Sequence, residues 1–391
     1  MSDLMQYMTK AIHAGNNTDA HGSPFTPLYD TTTFCFNDTE ALLDVVEGRK
    51  QGAFYSRYGM NPTIKSLEQR LAALDNAQAS LAFASGMAAI SSLCLAFGQN
   101  GIVCLGEIYG GTVELLQQQC RQLGITTTFL KADDRAGLEH CLKQGISLVL
   151  FESPANPTLT VIDIKQIAEL TNQYDAYVAV DNTFATPINQ QPLALGADFS
   201  VQSATKYLGG HSDLTAGVLS GSQQNMAIMN GWRKSLGQTI AAEVAHKLKR
   251  SLMTLPLRVE KHNHNGLILA EYLEQHPAVE AVYYPGLVSH KSHNIAKTQM
   301  QGFGGMLSFD VKGGDKAARQ LVDALKLISL APSLGGAESL ATQPVTTSHH
   351  GMTAEALQQA GISGAMIRLS VGLETVEDLK NDLAQAFAAI K

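Results

Sequence analysis

The chain has 391 residues, 45% of them hydrophobic and 16% charged, with a formal net charge of −7. That length supports one large domain plus a smaller one, and an acidic balance without any Lys/Arg run excludes the electrostatic footprint of nucleic-acid or anionic-membrane binding. No stretch approaches the ~18 apolar residues of a membrane span, and MSDLMQYMTK lacks the basic-then-apolar layout of a signal peptide, so a cytoplasmic protein is expected.

The first 50 residues include HGSPFTPLYDTTTF, a Pro/Thr-rich arm with little helical period. It can pack on its own domain or on a partner. LAFASGMAAI then offers a Ser-Gly turn at Ser85 and Gly86, opening a helix whose free N–H groups suit a phosphate. From there, apolar runs alternate with helical patterns: GIVCL (101–105), TTTFL (126–130), SLVLF (147–151), YVAVD (177–181), DFSVQ (198–202) and AGVLSG (216–221) read as buried strands. GTVELLQQQCRQLG and DIKQIAELTNQYD are amphipathic segments between them. Continuous rather than alternating apolar strands predict a mainly parallel sheet covered on both faces. After about residue 250 the texture changes. A long amphipathic segment leads to AVYYPGL, a Gly-rich GFGGMLSFDV and a closing TVEDLKNDLAQAFAAI helix, which reads as a second, α+β domain. Cys35, Cys94, Cys104, Cys120 and Cys141 form neither a CxxC pair nor a zinc spacing, and are expected to be free packing thiols.

Open parallel sheets collect functional groups at the carboxyl ends of their strands. Here those ends deliver Glu152 and then Asn156 from SLVLFESPANPT, Asp181 from YVAVDNTF, and Ser203, Thr205 and Lys206 from DFSVQSATK. A lysine at a crowded, partly apolar strand end has a depressed pKa and is primed to form a Schiff base. A carboxylate on a neighbouring strand can pair with a protonated pyridine nitrogen, while hydroxyls and helix N–H groups hold a phosphate. These are the protein groups that pyridoxal 5'-phosphate (PLP) requires. Asp181 alone would serve as a helix cap and Lys206 alone as a surface charge. The order Gly turn, Asp, Ser-x-Thr-Lys at strand spacing joins them.

The same residues carry a family resemblance. ESPANPTLTVIDI, VAVDNTFATP, QSATKYLGGHSD, SLGGAESLATQP and RLSVGLE resemble signature segments of the PLP-dependent enzymes of cysteine and methionine metabolism, the transsulfuration family of cystathionine γ-synthase, cystathionine γ- and β-lyases, methionine γ-lyase and O-acetylhomoserine sulfhydrylase. The resemblance runs from AIHAG at 11–15 to the closing helix. It implies the PLP-dependent fold type I (aspartate aminotransferase-like): an N-terminal arm (1–55), an α/β cofactor domain with a mainly parallel seven-stranded sheet (56–250) and a smaller α+β C-terminal domain (251–391). It also implies a homotetramer of two dimers whose subunits share active sites.

Carried over by motif, Lys206 resembles the lysine that bears the cofactor and Asp181 the partner of the ring nitrogen. Gly86 and Met87 are similar to the backbone donors to the phosphate, joined by the hydroxyls of Ser203 and Thr205. Tyr109 in EIYGGT matches the tyrosine that stacks on the ring and assists proton transfer. Arg368 in RLSVGLE matches the arginine that clamps the substrate carboxylate, with Asn156 and Ser333 beside it. Tyr55 and Arg57 in YSRYGMNPT resemble the pair that reaches the neighbouring subunit's phosphate, although the spacing from Tyr55 to Asn61 is one residue longer than the family's.

The implied reaction is γ-elimination or γ-replacement on a four-carbon amino acid, sulfur-containing or O-activated. A lyase acting on methionine, cystathionine or homocysteine, releasing 2-oxobutyrate and ammonia, is the foremost expectation. γ-Replacement on an O-acyl or O-phosphohomoserine and β-elimination from cystathionine stay open. Gly111 stands where methionine γ-lyases commonly carry a cysteine, and Glu114 and Pro332 stand where many cystathionine enzymes have an arginine and a glutamate. Ser251 in RSLMTL replaces a usual glycine. The absent arginine and glutamate argue against recognition of a second amino-acid head group.

Overall fold

The apolar runs of the first half become one seven-stranded sheet in the computed structural model, which describes residues 6–347, 350, 351, 353, 357 and 360–390. Its strands are β1 (Ala79–Phe83), β2 (Ile102–Leu105), β3 (Thr127–Leu130), β4 (Leu148–Glu152), β5 (Tyr177–Asp181), β6 (Phe199–Ser203) and β7 (Gly217–Gly221), in the order β1-β7-β6-β5-β4-β2-β3. Strands β2 to β6 are parallel, and β7 runs antiparallel to both β6 and β1. The sheet is therefore mainly parallel, as the apolar runs predict, but β3 is not the buried strand expected there: it lies at the sheet edge, paired on one side only, with Thr128 and Phe129 exposed.

Alternate side chains of each central strand enter two different cores. Ile102, Cys104, Leu148, Leu150 and Ala179 pack with the helix Gly86–Phe97 and with Met226 and Met229 of the helix Gln223–Leu236. Val103, Leu105, Val149, Phe151, Val178 and Val180 pack on the opposite face, against Leu138 and Leu142 and the helix Ile164–Thr171. Burial on both faces is what makes these strands uninterrupted apolar runs. Cys94, Cys104, Cys120 and Cys141 are free and buried in these cores, and Cys35 is free and exposed. The edge strand β1 lacks β-branched residues, and its pairing with β7 rather than its own propensity makes it a strand. The segment after Tyr109 departs from a plain helix: Gly110–Glu114 is α-helical, and Leu115–Cys120 widens into a π-helical turn.

The second half builds a five-stranded sheet in the order β10-β11-β12-β9-β8. Its strands are β8 (Val279–Tyr283), β9 (Met306–Val311), β10 (Ser329–Leu330), β11 (Leu340–Thr342) and β12 (Met366–Ser370), and its core contains Leu269, Leu273, Phe309, Leu321, Ile367 and Leu383. The long amphipathic segment divides into helices Ala242–Leu252 and Leu255–Glu274, with Pro256 in the first turn of the second.

The arm is not free of helix: Tyr7–His13 and Thr39–Val46 are helical. It is anchored by two buried cations. Arg70 donates to the carbonyls of Ile12, Ala14 and Lys249 and to Asn16 Oδ1. Lys249 Nζ donates to Gly15 O (3.1 Å), Thr26 Oγ1 (2.8 Å) and Ser66 Oγ.

Candidate active site

Parallel strands deliver their last residues to one edge, and here β4, β5 and β6 end at Glu152, Asp181 and Ser203. A cavity of about 630 Å³ opens at that edge, closed on its other side by Pro332, Ser333, Leu334 and Arg368 from the second half of the chain. Ten of the residues carried over by motif line it: Gly86, Met87, Tyr109, Asn156, Asp181, Ser203, Thr205, Lys206, Ser333 and Arg368.

The helix Gly86–Phe97 points its N-terminus into this cavity, and Ser85 Oγ accepts from Ala88 N (3.1 Å). A Cβ on Gly86 would stand 2.9 Å from the Cβ of Ser203, so glycine is what lets the helix end meet the end of β6. The N–H groups of a first helical turn carry partial positive charge, which suits a phosphate. Thr205 Oγ1 also accepts from Ala216 N (3.1 Å), which fixes the hydroxyl against the start of β7.

Asp181 lies in register with Glu152 on the adjacent strand, and its Oδ1 accepts from Thr183 N (2.9 Å). Burial pushes its carboxyl above the usual carboxylate range. Among the described ion pairs it has no cation, so it is a half-buried acid that lines a cavity and still needs a positive partner. A protonated ring nitrogen meets that need, and the helix N-terminus with the Ser203 and Thr205 hydroxyls meets the needs of a phosphate. The residues fit PLP.

Lys206 Nζ donates to Ser333 Oγ (2.8 Å), and burial, followed by the charge of Arg368, lowers its pKa. Arg368 is 7% exposed and donates to Asn156 Oδ1 (3.1 Å) and Ser333 O (3.2 Å). Burial pulls its pKa down to about 10. It too lacks a carboxylate in the described chain, which leaves its fork available for one from a substrate. Ser333 serves both cations, its hydroxyl facing Lys206 and its carbonyl facing Arg368, with the backbone at a φ of +98° that non-glycine residues seldom adopt.

Tyr55 and Arg57 do not line this cavity within one chain. Arg57 donates to Lys234 O (2.7 Å), and its guanidinium lies 4.8 Å from the Tyr58 ring and 5.7 Å from the Tyr55 ring. Tyr55 and Arg57 are both exposed. The segment between Tyr55 and Asn61 forms a 3₁₀ turn, Ser56–Tyr58, ended by Gly59 at φ +74° and closed by Phe54 N to Met60 O (3.0 Å). Asn61 still caps the helix Pro62–Leu74.

Two residues at the site are absent from the carried-over set. Thr183 Oγ1 accepts from Ser203 N (2.8 Å), tying the segment after β5 to the end of β6. Its place two residues after Asp181, where an aspartate closes a turn onto the N–H of the second residue on, was the available signal. Glu152 is buried, with Oε1 accepting from Tyr109 N (2.6 Å) and Oε2 from Asn156 N (3.4 Å). Of the divergent positions, Pro332 lines the cavity, whereas Gly111 and Glu114 line a larger neighbouring space of about 1530 Å³ that shares Tyr109 and Thr347. Among the described residues no cluster of His, Cys, Asp or Glu could hold a metal, and no helix is long and apolar enough to cross a membrane.

Comparisons with known proteins extend over the same length. A family model described as Cys/Met metabolism PLP-dependent enzyme matches residues 8–388. The chain is 41% identical over 391 residues to an L-methionine gamma-lyase of Pseudomonas putida, covering 99% of this chain and 98% of that one. It is 41% identical over 389 residues to the chloroplastic cystathionine gamma-synthase 1 of Nicotiana tabacum, covering 97% and 71%. The solved structure of a cystathionine gamma-lyase from Lactobacillus plantarum, complexed with L-serine, superposes with a TM-score of 0.92 at 36% identity, covering 99% of both chains.

Proposed function

The chain belongs to the Cys/Met metabolism PLP-dependent enzymes of fold type I, and within that family we propose that it catalyses γ-elimination from a four-carbon amino acid with an uncharged sulfur substituent, methionine being the simplest. The products are a thiol, 2-oxobutyrate and ammonia. One observation carries this reading. The charged side chains around the cavity are Glu152, Asp181, Lys206 and Arg368, and the rest of its wall is largely apolar, with Met87, Ile90, Phe184, Pro332 and Leu334. Arg368 is taken by the substrate carboxylate and Lys206 by the cofactor. Among the described residues a distal group meets no further cation in this chain's cavity, so a neutral thioether suits it better than a second amino acid.

When bound, PLP supplies the electron sink that stabilises negative charge developing on the substrate. Asp181 holds the proton on the ring nitrogen. The amides of Gly86 and Met87 and the hydroxyls of Ser203 and Thr205 hold the phosphate. Burial and then the charge of Arg368 lower the pKa of Lys206, which favours the neutral amine that would let Nζ bear the cofactor and exchange a proton with the substrate Cα. Arg368, braced by Asn156 and Ser333, sets the carboxylate and hence the Cα–H direction. The Tyr109 ring stands at the cavity wall, where its hydroxyl can protonate the departing sulfur.

A second reading rests on the larger space beside the cavity. It shares Tyr109 and Thr347 with the site and has room for a thiol nucleophile, which favours γ-replacement on an O-activated homoserine. Methionine, cystathionine, homocysteine and O-acyl or O-phosphohomoserine, each with and without cysteine, separate the two. Methionine alone should give 2-oxobutyrate and ammonia. Thioether product formed only with cysteine, and no oxo acid from methionine, would sink the lyase reading. We also infer that exposed Tyr55 and Arg57 complete a neighbour's phosphate site, which makes a two-fold dimer the smallest active unit and a pair of such dimers the tetramer.

A further inference from the structure

We propose that Glu152 is a positioning residue of this site, one carboxyl group that holds Tyr109 and the Asn156–Arg368 clamp in a common frame with Asp181. The inference rests on the reading of Tyr109 and Arg368 as substrate-facing groups. Glu152 ends β4 beside Asp181 at the end of β5, in register on parallel strands, a spacing of about 4.8 Å between chains. Oε1 accepts the backbone N–H of Tyr109 at 2.6 Å, and Oε2 accepts that of Asn156 at 3.4 Å. Asn156 in turn accepts from Arg368 through Oδ1. Tyr109 is 47% exposed, so the position of its ring depends on the backbone that carries it. A single buried carboxyl therefore reaches the groups that handle the substrate's leaving side and its carboxylate side.

The charge around Glu152 explains how two acids share this site. Asp181 on β5 and Glu107 after β2 face it, with the thiol of Cys104 on β2 nearby, and no described ion pair brings it a cation. Burial and the charge of Asp181 raise its pKa well above the usual range. Negative charge at Glu152 is thus disfavoured beside Asp181, and what the site takes from it is acceptor capacity, one oxygen for each of the two amides. A glutamine keeps one acceptor oxygen, which serves the short bond from Tyr109 N but leaves its NH2 facing the N–H of Asn156, and a leucine of similar volume keeps neither.

The test uses holoenzyme carrying E152Q, E152L or E152D. Borohydride trapping reports whether the cofactor stays on Lys206, and cofactor absorbance during titration with glycine, which has no γ-substituent to lose, reports amino-acid binding without turnover. For E152L, with cofactor retained, kcat should fall about tenfold or more and glycine affinity about fivefold, because Tyr109 and Asn156 lose their acceptor. E152Q should recover most of the kcat loss, through the bond from Tyr109 N, and only part of the affinity loss. E152L within about twofold of wild type in kcat and in glycine affinity would overturn the assignment, as would E152Q falling as far as E152L. Where E152L does not fold or retain cofactor, E152D decides. Its shorter arm cannot span both amides, and wild-type kcat and glycine affinity in that variant would likewise overturn the proposal. Failure to form 2-oxobutyrate from methionine bears on the lyase reading alone, since the glycine titration does not depend on it.

Discussion

Lys206, half-buried, and Lys249, fully buried, are two lysines of one chain whose charged forms are disfavoured by the same two causes. Each has its pKa pushed down by burial and then by a neighbouring arginine, Arg368 for Lys206 and Arg70 for Lys249, and Lys249 falls to about 7. Neither has a carboxylate in the described ion pairs. Their hydrogen bonds differ. The three donor positions of Lys249 are filled by Gly15 O, Thr26 Oγ1 and Ser66 Oγ, all belonging to the arm and its bedding. Lys206 spends one on Ser333 and faces a cavity with the others. A depressed pKa therefore does not by itself mark a reactive lysine. Free donor directions and access do.

The sharpest way to break that comparison is chemical. Borohydride should fix the cofactor on the peptide containing Lys206 and never on the one containing Lys249, and Lys206→Ala should lower turnover by about 10³-fold or more. Label on Lys249 would show that access is the wrong criterion. Asp181→Asn comes next, with turnover expected to fall by about 10²-fold while the fold persists, because a neutral partner no longer holds the ring proton. A near-normal rate would make that carboxyl structural. The arginines extend the contrast. Arg368→Lys should raise KM about tenfold for every amino-acid substrate, since a point ammonium cannot reproduce two parallel bonds to a carboxylate. An unchanged KM would put Arg368 outside substrate recognition.

The smallest effect belongs to the arm. Lys249→Met should leave turnover per folded site unchanged and alter the pH dependence of stability. With its folded pKa lowered to about 7 from an ordinary 10.5, Lys249 loses its proton in the folded chain before it does so in the unfolded one. Between those values the unfolded chain binds more protons, so wild-type stability rises with pH. From about pH 6 to about pH 9, the stability of wild type relative to Lys249→Met should grow by on the order of 1–3 kcal/mol in denaturant titrations. A difference that does not change with pH would mean the folded chain keeps Lys249 protonated throughout.

The sequence by itself determined the sheet and most of its catalytic edge. Buried parallel strands must be apolar on both faces, so VAVD and SLVLF could be read directly, and the polar residues ending such strands can only lie at one edge. Ten carried-over positions meet there for that reason. Strand β1 was not legible because Ala79–Phe83 has little β propensity and owes its conformation to β7. Nor were the short helices of the arm, whose anchors Arg70 and Lys249 lie far along the chain. The role of Glu152 also waited for the tertiary structure. Its position at a strand end was visible, but its hydrogen bonds join residues 43 positions apart on one side and a nearby loop on the other. Local pattern records which face a residue occupies. Which distant backbone N–H a buried carboxyl accepts from is decided only when the strands pack, because nothing in the local sequence encodes that meeting.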